Sequence, residues 1–366
     1  MVDLAAEYAD AGSAVEAAVL RVLRSGRYLL GPETLAFEAE LARMVGVRQA
    51  VGVGSGTQAL CLSLRACGVE PGDEVVTSPF SFFATVEAIL LVGAVPVFAD
   101  IEPNGFNIDP ASLGSVVTAR TRALVPVHVF GRCADMAAIL SFARERDLAV
   151  VEDAAQAIGA MRAARPAGAW GHAAAFSFYP SKNLGAAGDA GCVTTDDPEL
   201  AERLRSLRNH GRTSRGQHLA VGTTGRMDEL QAAVLRAKLP YLKRWTDRRA
   251  SHAACYQRLL AGCPDLVTPS TGPEETPVWS HFTLRSRRVE SLRRALAEAG
   301  IESRRYYPRP IYREPGFLRA GLAEVSACPR AERACHEALS IPVHPGLSAS
   351  DVESVSAAIR STLEAC

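Results

Sequence analysis

An excess of charge of either sign is missing from this chain, whose 40 lysines and arginines balance 40 aspartates and glutamates. That balance recommends neither nucleic acid nor an anionic membrane surface as a partner. No apolar run approaches the roughly 20 residues of a membrane-spanning helix, and Met1-Val2-Asp3 opens neither a basic nor an apolar leader. The expectation is a cytoplasmic protein without membrane contact. Its nine cysteines are odd in number and contain no Cys-x-x-Cys, which speaks against a disulfide framework and a zinc site, so no metal is expected. Cys61, set in Ala-Leu-Cys-Leu, reads as a buried thiol. Also missing are a Gly-Lys-Ser/Thr phosphate loop, internal repeats and low-complexity segments. What is there is a globular composition, 48% apolar over 366 residues, long enough for a large core and more than one unit.

At the centre lies Phe-Ser-Phe-Tyr-Pro-Ser-Lys-Asn, residues 176–183. Ala173 to Phe178 reads as a buried strand that breaks at Pro180 into a loop rich in glycine and alanine, which carries Lys182 before the next strand, Cys192 to Thr195. Small neighbours strip water from the lysine, and desolvation lowers its pKa and frees amine to attack a carbonyl. A solvated loop lysine is the competing reading of the octapeptide alone. A second signal is the short strand Ala50 to Val53, running into Gly54-Ser55-Gly56-Thr57-Gln58 and a helix that continues to Cys67. Strand, glycine loop and helix make an anion site, where free N–H groups and the helix dipole converge. Gly52-x-Gly54-x-x-Thr57 lacks the third glycine of the dinucleotide fingerprint, which counts against a nicotinamide dehydrogenase.

Helical spacing appears at Ser13–Arg24 and from Pro32 to about Val45, and Arg27 and Tyr28 between them read as a packed connector or a site mouth. Strands at Val75–Ser78, Val95–Phe98, Ala123–Val129 and Leu148–Val151 alternate with helices at Phe82–Val92, Ala111–Val117 and Met136–Arg146. Alternation with near-continuous apolar strands means an α/β fold, a mostly parallel sheet flanked by helices, with ligands at the carboxyl ends of its strands. Gly54 to Thr57, Phe80 to Phe82 and Asp153 all follow strand ends and should share one rim. Two further helices close the layer, and a long helix, Tyr241 to Leu260, leaves it. The expected division is a large unit at 1–240 and a small C-terminal α+β domain at 241–366, with a strand at Val278–Leu284 and helices at Ser291–Ala299 and Ala349–Leu363.

A desolvated lysine, an anion cradle, an aromatic residue and a carboxylate on one rim together ask for pyridoxal 5'-phosphate, which needs an aldehyde partner, a phosphate site, a ring stacker and an acid on its pyridine nitrogen. Ser-Gly-Thr-x-Ala-Leu at 55–60, Pro-Gly-Asp-Glu-Val at 71–75, Val-Glu-Asp-Ala-Ala-Gln at 151–156, the octapeptide, Arg-Asn-His-Gly at 208–211 and Met-Asp-Glu-Leu-Gln-Ala-Ala at 227–233 resemble, in order and spacing, the sugar aminotransferase family (DegT/StrS group). The resemblance implies the aspartate aminotransferase-like fold, fold type I, in a homodimer with composite sites. It implies Lys182 as the Schiff-base lysine, Asp153 on the pyridine nitrogen, Gln156 beside the ring hydroxyl and Phe82 as the stacking aromatic. Ser55, Gly56, Thr57 and Ser177 would cradle the phosphate. Phe82 has the alternative of ordinary core, since Phe80 and Phe83 flank it, and Gln156 that of capping a turn. Asp153 has no cheap alternative, because a carboxylate after a buried strand is costly without a partner.

Two departures stand out. Where the family often carries an asparagine that reaches the neighbouring subunit's cofactor phosphate, this chain has Thr224-Gly225-Arg226; where it commonly has histidine after Tyr-Pro-x-Pro, this chain has Tyr312. Arg27, Tyr28, Arg226, Tyr307 and Tyr312 are the substrate-side candidates. The implied activity is transamination of a nucleotide-linked keto-6-deoxy sugar, the 3-keto form favoured, with glutamate as donor and pyridoxamine 5'-phosphate as the intermediate form of the cofactor, in amino sugar and antibiotic biosynthesis. Arg304, Arg305, Arg309 and Arg313, around Tyr306, Tyr307 and Tyr312, offer cations for a diphosphate or else a solvated basic face. The alternatives are a 4-keto sugar or keto-inositol aminotransferase, and a non-catalytic pyridoxal phosphate-binding regulator.

Overall fold

The computed structural model describes residues 1–321 and 327–364. Its centre is a sheet of seven strands: β1 (Gln49–Val53), β2 (Glu74–Thr77), β3 (Val95–Phe98), β4 (Thr121–Val125), β5 (Ala149–Asp153) and, after the short β6 (Met161–Arg162) and β7 (Arg165–Pro166), β8 (Ala173–Ser177) and β9 (Gly191–Thr195). Their spatial order is β1-β9-β8-β5-β4-β2-β3, and β9 alone runs against its neighbours. Strands β2, β5 and β8 are buried on both faces because helices cover both faces of the sheet. Leu60, Leu64, Ala88 and Leu204 pack on one side and Phe37, Leu41, Met227 and Leu235 on the other.

The covering helices are α1 (Leu4–Ser25), α2 (Pro32–Val45), α3 (Gly56–Ala66), α4 (Ala84–Leu91), α5 (Met136–Arg144), α6 (Pro198–Leu207) and α7 (Glu229–Lys238). Helix α1 begins well before the expected Ser13. Asp3 caps it, its carboxylate accepting from Ala6 N–H at 2.9 Å, and the added turns carry Asp10 to the indole N–H of Trp245 at 2.9 Å. The helix expected at Ala111–Val117 is a 3-10 stretch, Pro110–Ser115, too short and too glycine-broken for α-helix.

Beyond α8 (Leu242–Leu259), β10 (Glu275–Thr276) joins β6 and β7, while β11 (Phe282–Arg285) pairs antiparallel with β12 (Ala338–Ile341). Helices α9 (Val289–Glu298), α10 (Pro315–Arg319), α11 (Pro329–Glu337) and α12 (Ala349–Glu364) complete this layer. Its own core joins Tyr256, Phe282, Leu292, Leu339 and Ile359. The strand expected from Val278 starts only at Phe282, because Val278 and Ser280 N–H donate to Gly131 and Phe130 carbonyls, at 2.9 and 3.1 Å, beside the large sheet. No helix among the described residues is long and apolar enough to cross a membrane, and no cluster of His, Cys, Asp or Glu among them could hold a metal.

Candidate active site

Strand β5 ends in two carboxylates that alternation sends to opposite faces. Glu152 is fully buried and accepts N–H bonds from Gly168, Trp170 and Gly171 at 2.7–2.8 Å, and from His128 Nε2 at 2.8 Å. Because His128 Nδ1 accepts from Ala134 N–H at 3.1 Å, Nε2 is the protonated nitrogen. Glu152 is thus a structural knot behind the rim. Asp153 faces the site: Thr85 Oγ1 donates to its Oδ2 at 2.7 Å, Ala155 N–H to its Oδ1 at 3.2 Å, and Ser81 hydrogen-bonds Thr85 at 2.8 Å. The loop before α4 is therefore pinned to Asp153. It leaves Phe82 61% exposed while Phe80 is fully buried, which removes the ordinary-core reading of Phe82.

Lys182 N–H closes a turn onto Tyr179 at 2.8 Å. Burial holds the lysine amine below its ordinary pKa, and Asp153 pulls the other way. The next residue, Asn183, donates from Nδ2 to Val278 O at 3.0 Å, and Ala187 N–H donates to Gln231 Oε1 at 2.9 Å. Lys238 Nζ reaches Gly185 O at 2.9 Å. Two separate segments, the connector at Val278 and helix α7, hold this loop. Gln156 is no turn cap: its Oε1 accepts from Phe130 N–H at 2.7 Å and its Nε2 donates to Tyr307 at 3.1 Å. Burial raises the Tyr307 hydroxyl pKa, so it stays protonated.

At the start of α3, Ser55 caps by accepting from Gln58 N–H at 3.1 Å. The N–H groups of Gly56 and Thr57 are left pointing out of the helix end, as anion donors. A Cβ on Gly56 would sit 2.6 Å from Ser177 Cβ, so glycine is required for Ser177 to stand beside this N-terminus. Cradle, acid, lysine and open aromatic fit pyridoxal phosphate residue by residue.

Thr224 is exposed next to this cradle, its carbonyl accepting from Gln58 Nε2 at 3.4 Å and its hydroxyl 3.2 Å from His210 Nε2. Arg226 holds Asn209 Oδ1 at 2.8 Å, and its buried Nε has no partner among the described residues. Arg27 and Tyr28 are exposed, with Tyr28 O taking Glu229 N–H at 2.9 Å. Tyr312 lies apart, 8% exposed against Phe98, its hydroxyl donating to Glu332 at 3.0 Å. Each of the four clustered arginines already has a carboxylate within 4 Å: Arg304 has Glu302, Arg305 Glu290, Arg309 Glu314 and Arg313 Glu332.

Residues missed in the sequence include Thr85, Asn183, Gln231 and His281. The His281 ring lies 4.6 Å from that of Tyr306 and 5.4 Å from Phe130. Burial, the Lys182 charge and Arg249 pull it down to about 3, so it is a neutral wall beside the lysine. Asn183 and Gln231 sit inside quoted motifs and were findable; Thr85 and His281 belong to none.

A family model described as the DegT/DnrJ/EryC1/StrS aminotransferase family matches residues 10–360. The chain belongs to that family. It is 45% identical over 362 residues to the dTDP-3-amino-3,4,6-trideoxy-alpha-D-glucose transaminase of Streptomyces venezuelae, covering 99% of this chain and 95% of that one. It is 44% identical over 349 residues to a Geobacillus stearothermophilus "pleiotropic regulatory protein", at 95% and 94% coverage. Among solved structures, S. venezuelae DesV in complex with a ketimine intermediate superposes with a TM-score of 0.95 at 44% identity, over 99% and 97% of the two chains. This aminotransferase is a pyridoxal phosphate-dependent transaminase with the fold of its family.

Proposed function

We propose that this aminotransferase moves the amino group of glutamate to C3 of a nucleotide-linked 3-keto-6-deoxy sugar, in the cytoplasm, as a homodimer. The observation that carries the chemistry is Lys182, its pKa lowered by burial, on the same rim as Asp153. Support for C3 comes from the S. venezuelae relative, whose name places the new amine there.

Pyridoxal phosphate supplies the carbonyl that takes up the amino group and a ring that withdraws electrons from the reacting carbon. Every other task falls to the chain. Gly56 and Thr57 N–H and Ser177 would bind the phosphate, and Asp153, held by Thr85, would keep a proton on the ring nitrogen. Phe82 would cover one ring face, and Gln156, braced by Phe130 and Tyr307, would meet the ring hydroxyl. Lys182 Nζ takes the proton from the donor's α-carbon and, in the second half, returns one to the sugar carbon. With the Arg304–Arg313 group ion-paired, Arg27 and Arg226 are the cations for the sugar's diphosphate.

The Geobacillus relative's name favours a regulatory reading, and because a passive cofactor binder would also use a free Lys182 amine for its Schiff base, turnover is what separates the two. The test is incubation with glutamate and a panel of nucleotide keto sugars, with NMR locating the new amine. An amine at C4, or activity confined to a free keto-inositol, would sink the C3 assignment and leave the transaminase intact.

A further inference from the structure

The loop that carries Lys182 closes on itself. Ala186 N–H donates to Phe178 O at 2.8 Å, and a Cβ on Gly185 would run into the Pro180 carbonyl. Only glycine fits there, so the two ends of the loop touch, and a displacement at Gly185 reaches Pro180 and the Lys182 turn. The grip on this neck comes from Lys238 at the end of α7, whose Nζ donates to Gly185 O at 2.9 Å.

Behind Lys238 stands Glu7, in the turns of α1 that precede Ser13. It is 2% exposed, with Oε2 3.4 Å from Lys238 Nζ. Its charge also acts on Arg249 of α8, a buried side chain that donates to Trp279 O at 3.5 Å. The carbonyl just before that one, Val278 O, takes Asn183 Nδ2. Burial pulls Arg249 down to about 10 while the Glu7 charge holds it up, so it stays a cation at neutral pH. Burial likewise raises the Glu7 carboxyl, with Lys238 and Arg249 pulling it back and Asp3 opposing them. Glu7 is thus the anion common to two cations that touch the two supports of the Lys182 loop. For packing three helices together, apolar side chains of similar size would serve as well or better than a buried ion pair. What the pair adds is an ammonium delivered to a carbonyl of the loop.

We propose that Glu7 and Lys238 are positioning residues for the Lys182 amine, Glu7 holding the Lys238 ammonium where it binds Gly185 O and keeps the loop shut. That the amine so held is the catalytic one rests on the aminotransferase reading of Lys182. Asp153 is the charge that bears on this amine; Glu7 and Lys238 bear on it through the backbone of its loop.

In the cofactor-free full chain, competitive acetylation across pH, read by peptide mass spectrometry, gives the pKa of Lys182. Burial keeps that amine low, and a loosened loop admits water, so Glu7→Gln and Lys238→Met should each raise it by about one pH unit. Because Glu7 acts through Lys238, the double variant should shift no further than Lys238→Met alone. In the holoenzyme, single turnover with glutamate should slow about tenfold in each variant with the half-saturating glutamate concentration unchanged, as for a displaced proton carrier. Lys238→Met leaves Glu7 its second cation and decides the matter where Glu7→Gln fails to fold. An unmoved Lys182 pKa, or shifts that add in the double variant, overturns the proposal. Borohydride trapping of the wild-type cofactor on another lysine, with the pKa shifts present, defeats the catalytic reading of Lys182 and leaves the hold on its loop standing.

Discussion

In the proposed reaction Lys182 and Asp153 would divide the work, and their environments support that division. Burial lowers the lysine's pKa against the opposing pull of Asp153. Because the unfolded chain then holds more proton than the folded one between the lowered value and the ordinary lysine value, Lys182 adds stability as pH rises through that window. In cofactor-free protein, the stability difference between wild type and Lys182→Met should therefore shift in favour of wild type as pH rises from 7 towards 10. Urea midpoints across that range measure it, and a difference independent of pH would contradict the lowered pKa. Asp153→Asn keeps the Thr85 bond but cannot balance a protonated ring nitrogen, so single turnover with glutamate should slow by about 100-fold or more while the fold survives. Near-normal turnover would falsify the assignment. These two residues were legible because each sits in a motif after an apolar strand. Thr85 and His281 were not: their importance comes from Asp153 and Tyr306, which the chain brings to them only on folding. Tyr312 was placed on substrate by its position after the Tyr-Pro-x-Pro stretch, and the distant Glu332 that engages its hydroxyl has no signature in the sequence.

At the scale of elements, the parallel strands and most helices were readable because their apolar runs and glycine stops are local. The start of α2 was read from Pro32, yet its cap is remote. Glu229, 1% exposed at the beginning of α7, accepts N–H bonds from Gly31 at 2.9 Å, Glu33 at 2.8 Å and Thr34 at 2.9 Å. No glycine at N-cap could do this itself, and a carboxylate also suits the positive end of the helix. Glu229→Gln keeps the shape but loses the charge and one acceptor oxygen, so it should cost about 1–3 kcal/mol, with Glu229→Ala at the upper end. Denaturant titration checks both; a cost within error for the alanine variant would mean the cap is dispensable. The motif containing Glu229 and Gln231 is thus a brace: one carboxylate fixes the connector bearing Arg27 and Tyr28, and one amide fixes the loop after Lys182. Such long-range bonds explain why the strand expected from Val278 starts only at Phe282: the Val278 backbone instead serves Gly131 and Asn183.

For the whole molecule, the informative surface is the one left apolar. Leu20 and Leu23 on α1 are each 47% exposed, and Tyr28, Leu29 and Leu35 follow along the chain at 50%, 48% and 60%. Single exposed leucines are common, but several large apolar side chains left open along one segment, even with arginines between them, favour an interface. Leu219 and Val221, at 74% and 83% exposure, lie in the loop that leads to Thr224 and the cradle, so an interface reaching them would border the cofactor phosphate. The expected assembly is a homodimer in which each chain's loop helps close its partner's site. Leu20 and Leu23 lie three residues apart on one helical face, and placing Asp at both should split the dimer without touching the core. Sedimentation velocity of Leu20→Asp/Leu23→Asp should then show monomer, and transamination should fall in step with the loss of dimer, recovering at protein concentrations that restore association. A wild-type chain that sediments as a fully active monomer removes the composite site, and a monomeric variant of undiminished activity removes the loop's part in it.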